Sequence, residues 1–177
     1  MNAMRKYAVW IVGIGLGAFI LLSVVSGLDN FGSSKSDSSV RPVSKPYEPI
    51  FRHDGNTFAI SGSDTIAVFR TEYAKTQEAI EIGMMYRRNV DSDMAMLFFM
   101  SGGDQMRSFW MKNTYVPLDI IYINSDHRVV SIQKNAVPKS TASLPSERPA
   151  SFVLEVLGGV SDQLGIETGT EIYWYKE

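Results

Sequence analysis

Between Ser108 and Asp119 the chain reads Ser-Phe-Trp-Met-Lys-Asn-Thr-Tyr-Val-Pro-Leu-Asp, which sets Lys112, Asn113 and Asp119 among Phe109, Trp110, Tyr115 and Leu118. Polar groups embedded in apolar strand sequence must be paired or must face a pocket, because an isolated buried charge costs several kcal/mol. Glu155 raises the same question from within Phe-Val-Leu-Glu-Val-Leu. Strand alternation puts it on the face of Val153 and Leu157 and leaves Leu154 and Val156 on the other. A carboxylate in that position needs a cationic or hydrogen-bonding partner, and Lys112 and Arg87 are the candidates. Two readings of the set stay open. In one, Arg87, Lys112, Asn113, Asp119 and Glu155 converge on a concave polar patch walled by Trp110, which suits a small ligand or a peptide segment of mixed polarity. In the other, Lys112–Glu155 or Arg87–Asp119 are ion pairs that fix strand register, with Asn113 and Asp119 capping the turn at Pro117. An enzymatic version of the first reading uses Asp119 and Glu155 as the paired acid and base that hydrolysis of an envelope polymer needs.

Other chemistries are excluded by composition. The 177 residues include no cysteine, so a disulfide scaffold, a thiolate metal site and a cysteine nucleophile are ruled out. Of the two histidines, His53 stands beside Asp54-Gly55, where a turn is expected, and His127 falls at a hairpin tip, where solvent exposure is expected. The sequence has no Gly-x-x-x-x-Gly-Lys or Gly-x-Gly-x-x-Gly loop, no Gly-x-Ser-x-Gly elbow and no metal-ligand spacing. No metal and no cofactor are therefore expected. The formal net charge of −2 hides an asymmetry, with five Lys/Arg against two Asp/Glu in the first 47 residues and twelve against seventeen, or −5, in the rest. A mildly acidic remainder without clustered Lys/Arg argues against a nucleic-acid partner.

The elements that must position these residues are mostly short strands. Thr57–Ile60 and Thr65–Thr71 are β-rich around Gly62-Ser63-Asp64, with Ile66 and Val68 on one face of the second and Ala67 and Phe69 on the other. Thr76 to Arg88 reads as the principal helix, with Thr76 as N-cap, Glu78 near the positive dipole end and Arg87 and Arg88 in the last turn. Ala79, Ile80, Gly83 and Met84 share one of its faces, with Met84-Met85 as core filler. Ala95–Met100 is apolar throughout, as in a central strand covered on both faces. Ser108–Lys112, the hairpin Leu118–Ile123 with Val129–Gln133, then Phe152–Leu157 and Glu171–Tyr175 complete the set. A long surface loop is expected over Ala136–Pro149, and a short helical turn between Gly158-Gly159 and Gly165. The pattern predicts an α+β fold, mainly β, as a small curled sheet or partly open β-barrel with one principal helix over residues 50–177.

What precedes this domain differs in kind. Tyr7–Val25 is a run of nineteen uncharged, mostly apolar residues behind Arg5-Lys6. As a helix it spans roughly 28 Å, close to the hydrocarbon thickness of a bilayer. Residues 1–28 thus read as a transmembrane signal anchor or a signal peptide, with Arg5 and Lys6 holding the N-terminus cytoplasmic and sending the rest outside. Residues 29–49 are rich in serine and proline and read as a flexible tether.

Five blocks in order resemble an uncharacterised prokaryotic family catalogued as domain of unknown function 192. They are Glu-Ala-Ile-Glu-Ile-Gly-Met-Met-Tyr-Arg87, Met96-Leu-Phe98, Phe109-Trp-Met-Lys-Asn-Thr114, Pro117-Leu-Asp-Ile120 and Val153-Leu-Glu155 with Gly158-Gly159. The family usually has glycine where this chain has Ala95. The resemblance implies a small, mostly β domain, often exported, with no established activity, whose recurring polar positions fall on Arg87, Lys112, Asn113, Asp119 and Glu155. The expectation is a membrane-tethered periplasmic or cell-surface domain that binds a small ligand or an envelope component through Arg87, Trp110, Lys112, Asn113, Asp119 and Glu155, without catalysis. A hydrolase and a purely structural or assembly module remain as alternatives.

Overall fold

The computed structural model describes residues 47–176. The expected anchor and all of the tether before Tyr47 lie outside the described residues. Of the tether's last three residues, Tyr47 packs edge-on against Tyr86, and Glu48 Oε1 accepts the Arg88 N–H at 2.7 Å, so this end is docked. Among the described residues no helix is long and apolar enough to cross a membrane.

The chain runs β1 (Gly55–Ser61), β2 (Asp64–Ala74), α1 (Gln77–Ile82), β3 (Met94–Phe99), β4 (Ser108–Phe109), β5 (Leu118–Ile123), β6 (Val129–Ala136), β7 (Leu144–Pro145), β8 (Phe152–Leu157), α2 (Val160–Leu164) and β9 (Glu171–Lys176). Seven strands form one sheet in the order β6-β5-β8-β3-β2-β1-β9, and β4 and β7 pair separately. All pairings are antiparallel except β2 with β3, whose parallel crossover carries α1. The sheet is not closed into a barrel. Its two edges meet around the isolated bridge Arg128↔Glu171, where the Arg128 guanidinium lies 2.6 Å from the Glu171 carboxylate. Register shifts in the β1/β2 and β5/β6 pairings add the local twist that curls the two edges toward each other.

Both faces of the central strands are covered, as the unbroken apolar run in β3 requires. Ala95 and Leu97 join Ile121, Leu154 and Val156 in one core, while Met96 and Phe98 join Ile120, Tyr122 and Val153 in the other. The second core is roofed by α1, through Ala79 and Ile80, and by Phe109 and Leu144 of the small β4/β7 sheet.

Three local expectations are corrected. The principal helix spans only Gln77–Ile82. Thr76 caps it as expected, accepting the Ala79 N–H at 3.2 Å, but Gly83 ends it at φ 50°, ψ −134°. Arg87 and Arg88 therefore lie beyond the helix in an irregular turn that also holds Tyr86 at φ 66°. The strand expected over Ser108–Lys112 stops at Phe109, and Leu144-Pro145 of the supposed long loop is its partner. His127 occupies its turn at φ 63° but is half-buried. Its ring lies 4.5 Å from Trp174 and 5.2 Å from Tyr173, and its Nδ1 is 3.0 Å from the Ile172 carbonyl oxygen.

Asp119 is the strut of this architecture. It is fully buried on β5, and its Oδ1 accepts the N–H groups of Asn135 at 2.8 Å and Gly159 at 3.1 Å. Its Oδ2 accepts the N–H of Ser161 at 2.9 Å and the Ser161 hydroxyl at 2.7 Å. The N-cap of α2, Gly159, has no side chain to offer, so Asp119 supplies the anionic cap from across the sheet. The pairing of Asp119 with Arg87, and its capping of the turn at Pro117, are replaced by this bracket between β5, the end of β6 and α2. Asp119→Ala leaves three N–H groups and a hydroxyl without their acceptor, those of Ser161 fully buried. Urea unfolding of that variant is expected to show a loss of at least about 3 kcal/mol.

Candidate functional site

Cross-strand register places two carboxylates on the roofed face of the sheet. Glu72 on β2 stands opposite Met96 on β3, Met96 stands opposite Glu155 on β8, and Glu155 stands opposite Ile120 on β5. With strands about 4.8 Å apart, Glu72 and Glu155 are separated by roughly 10 Å along the sheet, with the Met96 side chain between them. Asp119 stands opposite Val156, one residue out of phase with Glu155, so it projects from the other face. The proposed acid/base pair of Asp119 and Glu155 is thereby excluded, because the sheet lies between the two groups.

Both guanidinium groups paired in this row go to Glu72, and the Arg52 Nε lies 3.7 Å from its Oε2. Arg87 Nη2 lies 2.8 Å from Glu72 Oε1, with both side chains buried. Glu72 also accepts the Arg52 N–H at 3.0 Å. Glu155, only 4% exposed, has no such partner. Its carboxyl takes a hydrogen bond from the Met84 N–H, while Oε2 is buried without a partner, as is Nε of Arg87. Burial pushes the Glu155 carboxyl up to about 8, against a smaller downward pull from the Met84 N–H and the Arg87 charge. On the same face the Tyr122 phenol is also held far above its ordinary range, chiefly by burial and then by Glu155, and donates to the Leu144 carbonyl.

Two hollows flank this row and share Ile82 and Gly83 as a common wall. The smaller, about 30 Å³, is a half-enclosed recess lined by Glu155, Met84, Phe98, Phe109 and Trp110, with exposed Glu81 at its rim. The larger, about 270 Å³, is a cleft lined by Arg52, Glu72, Arg87 and Met96. Gly83 is needed where they meet. A Cβ there would stand 3.1 Å from the Phe98 ring and 3.6 Å from Glu155 Oε2, on a backbone conformation that side chains resist.

The expected residues divide accordingly. Glu155 and Trp110 line the recess, and Arg87 lines the adjoining cleft. Asn113, at φ 57°, braces the wall: its Nδ2 donates to the Tyr86 hydroxyl at 3.0 Å and its carbonyl accepts the Tyr86 N–H at 2.8 Å. Lys112 is exposed and makes no ion pair among the described residues. Its ammonium lies 5.0 Å from the centre of the Trp110 ring, so the expected Lys112–Glu155 pair does not form. Asp119 belongs to the other face. Glu72 and Gly83 are participants that the sequence reading passed over. The signal for Glu72 was the continuation of β2 past Thr71 to Ala74, which carries a carboxylate under α1. Among the described residues no group of three His, Asp or Glu side chains is placed to hold a metal ion.

Residues 58–174 match the family model DUF192, described as an uncharacterised ACR. No curated protein matches the chain. Among solved structures, a protein of unknown function from Novosphingobium aromaticivorans DSM 12444 is 34% identical at a TM-score of 0.66, over 75% of this chain and 94% of its own. A protein from Sinorhizobium meliloti 1021, named as a candidate transcription regulator, is 33% identical at a TM-score of 0.66, over 71% of this chain and 97% of its own.

The elevated Glu155 carboxyl makes a sign-definite prediction for stability. A carboxyl whose folded-state value lies above its unfolded value of 4.5 holds a proton that the unfolded chain releases, so its contribution is full below about pH 4.5 and is lost as pH rises to about 8. Urea unfolding of the wild type is expected to lose on the order of 4 kcal/mol between pH 4.5 and 8.5 relative to Glu155→Gln. Parallel pH profiles for the two proteins would instead place Glu155 among ordinary carboxylates.

Proposed function

The chain belongs to the uncharacterised DUF192 family, and on that premise we propose that it is a binding domain, tethered outside the cytoplasm, that takes a small ligand or a group of an envelope partner into the Glu155/Trp110 recess without transforming it. The observation that carries this reading is the buried, unpartnered Glu155 Oε2 beside a recess whose rim includes the 45% exposed Trp110. A purely structural carboxylate is expected to be saturated with hydrogen bonds, as Asp119 is on the opposite face. Glu155 has one polar partner and one vacant oxygen, which is the condition in which a ligand donor gains most.

Binding rather than catalysis is favoured by how the neighbouring charges are used. Glu72 is tied to Arg87 and Arg52, Asp119 faces away and Glu81 is exposed at the rim, so Glu155 has no buried carboxyl beside it in the recess to share a proton-transfer cycle. The external location is supported by the nineteen-residue apolar run behind Arg5-Lys6.

Two measurements test the reading. In a thermal-shift screen of full-length protein in detergent against small polar metabolites and envelope fragments, a ligand at one hundred times its Kd adds about 2.7 kcal/mol. That gain raises the melting temperature of the wild type by several degrees and leaves Trp110→Ala and Glu155→Gln unshifted. A screen without such a hit, with both variants retaining biological function, favours the assembly-module alternative. For location, the cysteine-free chain gives a clean background for Ser63→Cys on the exposed β1–β2 turn. A membrane-impermeant maleimide is expected to label it in intact spheroplasts, and labelling only after lysis would contradict the external placement.

A further inference from the structure

We infer that the chemical group taken into the Glu155 recess is a primary ammonium, carried on an alkyl stem that lies across Trp110 and Ile82. The inference rests on the binding reading above and specifies what is bound.

The recess is lined by Glu155, which carries one vacant buried carboxylate oxygen, and by the aromatic rings of Phe98, Phe109 and Trp110 and the polarisable sulfur of Met84. Both surfaces favour a cation that carries N–H donors. Its small volume, about 30 Å³, favours a compact –NH₃⁺ group over a planar guanidinium or a trimethylated nitrogen. Trp110 already receives one ammonium, that of Lys112, at 5.0 Å. The mouth is suited to a stem: Ile82 is 37% and Trp110 45% exposed, so two large apolar side chains stand at the edge of the hollow. Exposed Glu81 adds negative charge at that edge.

Charge balance gives the same answer. Around Glu155 stand Arg87 from the turn after α1, Glu81 from α1, Lys112 beyond β4, Tyr122 from β5 and, across Met96, Glu72 from β2. Arg87 is committed to Glu72, Lys112 lies over Trp110, and the Tyr122 hydroxyl donates to Leu144, so none of them supplies Glu155 with a paired cation. An entering R–NH₃⁺ does. Its arrival ionises the carboxyl, whose proton leaves to the buffer, and the recess then holds a neutral ion pair. With the free carboxyl at about 8, affinity for an amine should climb with pH, approaching tenfold per unit below pH 8. It should level off until the amine itself deprotonates near pH 10.4.

The test is calorimetric titration of the full-length protein in detergent with n-pentylamine, with n-pentanol and pentyltrimethylammonium as controls, at pH 6, 7, 8 and 9. Amine affinity is expected to rise by tens-fold from pH 6 to 8, with close to one proton released per amine at pH 7, read from two buffers of different ionisation enthalpy. Both controls should bind at least tenfold more weakly. Glu155→Gln, checked for an unchanged melting temperature at pH 6, should lose the pH dependence together with the affinity. If it does not fold, Trp110→Leu provides the second reading and should weaken the amine while sparing the pentanol. Nα-acetyl-lysine methylamide distinguishes the source of the ammonium: tighter binding than pentylamine points to a peptide side chain, and weaker binding to a free small amine. If pentanol binds as well as the amine, or if another class of compound from the thermal-shift screen binds and amines do not, the ammonium inference falls while the binding reading stands. If neither the probes nor the screen yields a ligand, the recess holds water only and both fall.

Discussion

Unequal sharing of cations between two buried carboxylates governs the roofed face of the sheet. Arg87 lies 2.8 Å from Glu72 and so leaves Glu155, on the same face two strands away, without a counter-ion. In a low-dielectric interior a carboxyl in that position keeps its proton unless a cation arrives, and burial is the largest contribution to its elevated value of about 8. The arrangement depends on where α1 stops. Had the helix continued through Arg88, as its apolar spacing suggested, Arg87 would have continued along it and not folded down onto Glu72. Gly83 breaks the helix with a backbone conformation that also lets the chain pass within contact distance of Phe98 and Glu155. The parallel β2–β3 pairing is part of the same device, since it requires a crossover, and the crossover brings α1 and its following turn over Glu72 and Glu155.

Asp119 and Glu155 show how the same chemistry diverges through strand phase. Both are carboxylates on neighbouring central strands with negligible exposure. Asp119 meets α2 and the end of β6, where four donors converge on its two oxygens. Glu155, one register position away and on the opposite face, meets one backbone donor, aromatic walls and a hollow. A saturated carboxylate fixes structure, whereas an unsaturated one raises the energy of the folded state until something completes it.

Much of this was legible residue by residue. β5 and β8 fall where hydrophobic runs bounded by turn signals put them, and the both-sided burial of β3 follows from its unbroken apolar sequence. Glu155 and Trp110 could be singled out because a charged group and an indole in strand sequence demand an environment. What could not be read was set by distant chain. Glu72 escaped because the outer face of β2 changes character along its length: Val68 is 51% exposed, whereas Glu72 and Ala74 on the same face are covered by α1. Lys112 does not reach Glu155 because the strand ends at Phe109, where its only partner is a two-residue strand 35 positions later. His127 is half-buried because β9 delivers Tyr173 and Trp174 beside it, a long-range contact that local turn signals do not carry.

The cost of keeping Glu155 unsatisfied has to be met by the wall around it, and that wall is braced from outside the site. The turn from Gly83 to Asn89 has little regular structure of its own. Tyr86 is fastened to Asn113 through both backbone and side chain, Arg88 lies 4.6 Å over the Tyr115 ring, and Arg87 is locked to Glu72. Glu48, at the point where the chain enters the described domain, accepts the N–H groups of Arg88 and Asn89. Three segments distant in sequence thus hold one short turn against an unfavourable buried acid, in a chain that has no cysteine with which to staple it. Because Lys112, Asn113 and Tyr115 belong to the same short block as Trp110, the residues that brace the turn and the indole that borders the recess are positioned together. The conspicuous Phe-Trp-Met-Lys-Asn-Thr run is therefore better understood as a brace of the site than as its set of ligands: Trp110 lines the recess, while Asn113 fastens the turn after α1 through Tyr86.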